Sequence, residues 1–91
     1  MKKMKTHRGF DYIDFRDYYG SQCSLQKSSI ATQDCIWLGK KAEVKHLVYG
    51  KGWVDYPLPS GVEVMDRMHL TREQVKELLP YLKRFVKTGN F

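Results

Sequence analysis

The amino-acid sequence predicts a single α+β domain, a small antiparallel sheet of three to four strands followed by one C-terminal α-helix packed on one face. Three observations lead there. Between residues 9 and 39 the chain carries three short segments rich in aromatic and β-branched residues, separated by turn formers. Between residues 72 and 88 the apolar residues recur instead at helical spacing. With 91 residues the chain has room for one modest core, and strands followed by a helix is the α+β order.

Residues 1–7 hold Lys2, Lys3 and Lys5 with almost nothing to bury, and read as a flexible basic arm that leaves 8–91 as the domain. From Gly9 to Arg16, Phe10, Tyr12, Ile13 and Phe15 supply β-favouring bulk on two faces of a first strand. The stretch "DYYGSQCSLQKSS" then opens with Asp17, whose carboxylate can accept turn amides, and Gly20, for which a positive φ costs little. A hairpin follows, and Cys23 and Leu25 alternate with Gln22, Ser24 and Gln26 on the returning strand. After a polar connection, "CIWLG" at 35–39 reads as a third strand.

From Lys40 to Ser60 the signals weaken. "AEVKHLVYG" suits a short helix or a strand, and the glycines and prolines after it suit neither, so mostly loop is expected. "VEVMDRMHL" at 62–70 puts Val62, Val64, Met68 and Leu70 on one face of a fourth strand. Thr71 with Gln74 forms a capping box, and Val75, Leu78, Leu79, Leu82, Phe85 and Val86 repeat helically until Gly89. Pro80 lies inside this helix, so either a bend or a later start is expected.

Composition narrows the function classes. A hydrophobic content of 42% excludes a disordered chain, and no apolar run approaches the roughly 18 residues of a membrane span. The basic start has no apolar stretch of signal-peptide length behind it, so a cytoplasmic protein is expected, with Cys23 and Cys35 as reduced thiols rather than a disulfide. A net charge of +6 favours acidic partners, either nucleic acid or an acidic protein surface.

No motif specifies catalysis. Ser24, Ser28 and Ser29, with His46 or His69 as base, match no nucleophile elbow, and no phosphate-binding loop is present. Asp11, Asp14 and Asp17 crowd one hairpin but alternate between faces, and His7, His46, His69, Cys23 and Cys35 lack the paired spacing of zinc ligands. No metal, cofactor or enzymatic activity is therefore expected. What stands out is Lys40, Lys41, Lys45 and Lys51 interleaved with Tyr49, Trp53 and Tyr56, a combination suited to a protein hot spot or to single-stranded nucleic acid. Against that, Trp53 beside "VDYPLP" is expected to cap the core against the helix, because a small domain seldom leaves a tryptophan uncovered.

Taken together, "DYYGSQCSLQKSS", "ATQDCIWLG", "GWVDYPLP" and "RMHLTREQVKELLPYLKRFVKTGNF" resemble a group of small, mostly uncharacterised proteins encoded by bacteriophages and prophages. The likeness spans roughly Arg8 to Gly39 and Gly52 to Phe91, with a shorter middle segment here. It implies a non-catalytic accessory protein that binds and inhibits a host macromolecule, with defence machinery such as a CRISPR effector as the target class, so that the chain would act as an anti-CRISPR-like inhibitor. Its partner would be a host protein or ribonucleoprotein complex in the bacterial cytoplasm, with no membrane involved. Direct binding of RNA or single-stranded DNA through the basic arm and the Lys40 to Tyr56 segment is the alternative. Pairing of two copies through an exposed sheet edge is open as well.

Overall fold

In the computed structural model, which describes all 91 residues, seven strands precede one helix. They are β1 (Lys2–Lys5), β2 (Asp11–Arg16), β3 (Gln22–Lys27), β4 (Cys35–Lys41), β5 (Lys45–Val48), β6 (Gly52–Asp55), β7 (Met65–Thr71) and α1 (Arg72–Thr88). Five strands form one antiparallel sheet in the order β1-β2-β3-β4-β7, while β5 and β6 form a separate hairpin between β4 and β7. The α+β class is the expected one.

The first turn forms as its residues dictate. The Asp17 carboxylate accepts the backbone N–H groups of Tyr19 and Ser21, each at 2.9 Å. The Gly20 N–H donates to the Asp17 carbonyl at 3.0 Å, and Gly20 takes φ +82°. That turn sets the register, with Phe15 opposite Cys23 and Ile13 opposite Leu25.

The basic segment at the start is an edge strand rather than a free arm. Lys2–Lys5 pair with β2, and Lys5 Nζ lies 2.6 Å from Asp11 Oδ1. An edge strand needs little apolar area when its backbone is paired on one side, and lysines are suited to an edge because they discourage further pairing.

Register and alternation sort the side chains into two faces. One face carries Ile13, Leu25, Leu38 and Met68 in a row across β2, β3, β4 and β7, with Phe15, Ile36 and Leu70 on the same side. The other carries Tyr12, Asp14, Gln26, Trp37, Arg67 and His69. β7 starts at Met65 instead of Val62. Val62 and Val64 stay outside the strand, although the Val64 carbonyl accepts the Ala42 N–H at 2.7 Å. Cys23 and Cys35 are free and fall on opposite faces of the sheet, so no bridge joins them.

Both helix caps form. Gln74 N–H donates to Thr71 Oγ1 at 3.2 Å, Thr71 N–H donates to Gln74 Oε1 at 2.9 Å, and the N–H of Gly89, at φ +78°, donates to the Phe85 carbonyl at 2.8 Å. The helix starts at Arg72 and runs on through Pro80. Its packing differs from the expectation: no helix residue is buried, and Leu82 and Phe85 remain 47% and 53% exposed. The reason is local. Thr71 is both the last residue of β7, paired with Cys35, and the helix N-cap, so no connecting residue exists to turn α1 back over its own sheet. Only Cys23, Cys35 and Ser28 are buried in the whole chain. The helix is not long and apolar enough to cross a membrane.

Candidate functional site

The segment expected to be loop contains a two-stranded hairpin. Lys45 pairs with Asp55, His46 with Val54, and Leu47 with Trp53. Its turn is closed by Lys51 N–H donating to the Val48 carbonyl at 3.0 Å, with Gly50 at φ +81° and Gly52 at φ +77°. The glycines that argued for a loop are thus the residues that let the chain reverse. Four-residue strands are too short to show alternation, which is why the pattern was not visible.

Trp53 does not cap the core. It is 69% exposed, beside Leu47 at 65%, on one face of the hairpin, and Tyr49 at the turn is fully exposed. No part of the core covers it, because the helix expected to lie over it packs only against β7. Tyr56 is half-exposed and meets His46 edge to face, with ring centres 5.0 Å apart.

The basic residues are scattered rather than gathered. Lys45 Nζ contacts Asp55 Oδ1 at 3.1 Å, and Lys41 Nζ lies 3.5 Å from Glu63 Oε1. Lys40 and Lys41 belong to β4 and point to opposite faces of the sheet, with Lys40 between Cys23 and Asp66. Lys51 sits alone in the hairpin turn. Of the seven candidate residues, the hairpin therefore unites Tyr49, Lys51 and Trp53 at its tip and one face, with Lys45 and Tyr56 at its base. Leu47 completes the apolar patch and was not singled out in the sequence; its place opposite Trp53 follows only from the hairpin register.

On the polar face of the sheet, Trp37 stacks on His69 with ring centres 4.0 Å apart, and the Arg67 guanidinium lies 5.0 Å from the centre of a Trp37 ring. His69 Nε2 is 2.9 Å from Ser28 Oγ, which also accepts the Ile30 N–H at 3.2 Å. Two of the residues considered as nucleophile and base are thus in contact. Ser28 is buried, however, and no carboxylate orients the other ring nitrogen, so the contact ties the chain after β3 to β7 without forming a triad. Ser24 lies in β3 opposite Gly39, and Asp11, Asp14 and Asp17 do not converge. No three His, Cys, Asp or Glu side chains come together as a metal site.

Two carboxylates are perturbed, both by lysines. A charge-assisted hydrogen bond from Lys5, and then its charge, hold Asp11 below the usual carboxylate range. Lys27 does the same to Asp34, at 2.9 Å, with a smaller contribution from Arg72. Both are exposed clamps between neighbouring segments, away from the hairpin. No protein family, curated protein or solved structure matches the chain.

Proposed function

We propose that this chain is a non-catalytic binding protein that obstructs a host macromolecular complex, using the β5–β6 hairpin as its contact element. The resemblance to phage and prophage proteins supplies the class of action, with a host defence complex such as a CRISPR effector as the target. The observation that carries the reading is Trp53, 69% exposed next to Leu47 on a paired hairpin, where a core role had been expected. An aromatic anchor on an element held by a backbone ladder loses little conformational freedom on binding, which is how interface hot spots are built.

RNA or single-stranded DNA binding is the weaker reading. Lys41 and Lys45 are already neutralised by Glu63 and Asp55, which leaves Lys51 as the unpaired cation on the hairpin. A groove that tracks phosphates needs several.

Affinity capture from bacterial lysate with the wild-type chain and with Trp53→Ala tests the proposal. A stoichiometric protein partner is expected, whose binding falls at least tenfold, about 1.4 kcal/mol, in the variant. The melting transition should move by no more than a few degrees. Capture of no partner, or undiminished capture by Trp53→Ala, overturns the reading. Binding of single-stranded RNA at low salt that weakens steeply as salt rises would favour the alternative.

A further inference from the structure

The apolar face of the sheet and the apolar side of α1 are both uncovered in the same chain. Ile13, Leu25, Leu38 and Met68 cross the sheet in a row, and Met68 is 54% exposed. The helix presents Leu78, Leu79, Leu82 and Phe85, all exposed. Only the start of the helix comes near the sheet, where Val75 and Leu79 line an open groove of about 340 Å³ with Ile36 and Leu70.

The size of the deficit says how much cover is missing. The chain exposes 7996 Å², roughly 2,500 Å² more than the about 5,500 Å² expected for a folded monomer of its mass. Its radius of gyration is 16.6 Å, against about 12 Å for a compact domain of this length. Part of that excess lies on the β5–β6 hairpin, so two such chains covering each other would remove on the order of 2,000–5,000 Å² in total, the range of obligate homodimers.

The chain cannot supply that cover itself. β7 passes into α1 at Thr71 with no intervening residue, and the capping box fixes that junction. A second copy can, because the dimensions agree. Seventeen helical residues extend about 25 Å, and five strands span roughly 19 Å between the outermost two, so one helix crosses one sheet. A two-fold arrangement lets each copy give its helix and receive its partner's, which satisfies both apolar surfaces with one symmetric contact.

We infer that the protein is a reciprocal homodimer in which α1 of each copy lies across the Ile13, Leu25, Leu38 and Met68 face of the other. The lysines of β1 make that outer edge a poor site for sheet-to-sheet pairing, so the contact runs through helix and face, not through the β1 edge. The β5–β6 hairpin takes no part in it. The dimer thus stands independently of the proposed function.

Two measurements on the wild-type chain test this. Sedimentation equilibrium should give a particle of twice 10.7 kDa at micromolar concentration. In a sample mixed from isotopically labelled and unlabelled chains, filtered nuclear Overhauser spectra should show contacts between the methyl groups of Leu79 and Leu82 and those of Ile13, Leu25 and Leu38 of the other copy. Leu82→Glu should weaken self-association at least a hundredfold. A particle of one chain, or of more than two, overturns the inference. So does a dimer in which those helix-to-sheet contacts arise only within a chain, or one that Leu82→Glu leaves as tight as before.

Discussion

Gly39 shows how much one residue can decide. It lies opposite Arg67, and a Cβ built there would overlap the Asp66 carbonyl oxygen and come within 2.5 Å of the Arg67 Cα, so the backbone would have to move. The obstacle is backbone, which cannot rotate aside as a side chain would. Gly39→Ala should therefore destabilise the fold by about 1–3 kcal/mol, read as a lower midpoint in urea. An unchanged midpoint would mean that β4 and β7 do not approach so closely. Trp53 is the opposite case. With most of its surface already in water, Trp53→Ala should change stability by less than about 1 kcal/mol in thermal melting, whereas a buried tryptophan would cost about 3–5 kcal/mol.

Among the elements, β1 is held in part by charge. It pairs with a single neighbour at the edge of the sheet, and Lys5 to Asp11 is its one ion pair. Because the folded-state pKa of Asp11 is depressed, the contribution is present above the ordinary carboxylate pKa of about 3.9 and is lost as pH falls through the lower folded value. Acidification below about pH 4 should release β1 first, seen as loss of amide-exchange protection at Met4, whose N–H faces β2, while β3 and β4 stay protected. If β1 and β4 lose protection together, the edge strand is not an independent unit. The helix start depends on local hydrogen bonds instead. Removing the Thr71 side chain with Thr71→Ala should cost about 1 kcal/mol, read as a lower melting midpoint, since the Gln74 N–H loses its acceptor while the bond from the backbone N–H of residue 71 to Gln74 Oε1 is left in place.

The whole molecule is elongated, 47 × 38 × 24 Å, with three buried residues among 91. A domain stable by several kcal/mol needs more cover than that. If a second copy supplies it, folding and association are one equilibrium and stability depends on protein concentration. A tenfold rise in concentration should then raise the melting midpoint by roughly 3–5 °C in calorimetry. A midpoint independent of concentration would show that one chain is stable alone.

Local chemistry made much of the fold legible. Asp17 and Gly20 specified the first turn through an acceptor and a positive φ, Thr71 and Gln74 specified the helix start, and Gly89 its end, because each of these signals acts within four residues. Alternation placed Met68 and Leu70 on one face for the same reason. The strand at Lys2–Lys5 was not legible, since its pairing depends on Asp11 and Asp14 across a turn and not on its own apolar content. Nor was the hairpin at Lys45–Asp55, whose two strands are too short for a period to show. Where Trp53 ended up depended on where the helix went, and that direction was decided at Thr71. Periodicity reports that a helix has an apolar side, whereas the junction geometry determines which surface that side can reach. The sequence alone determined turns, caps and faces, and only the tertiary structure decided which faces meet within one chain and which are left for another.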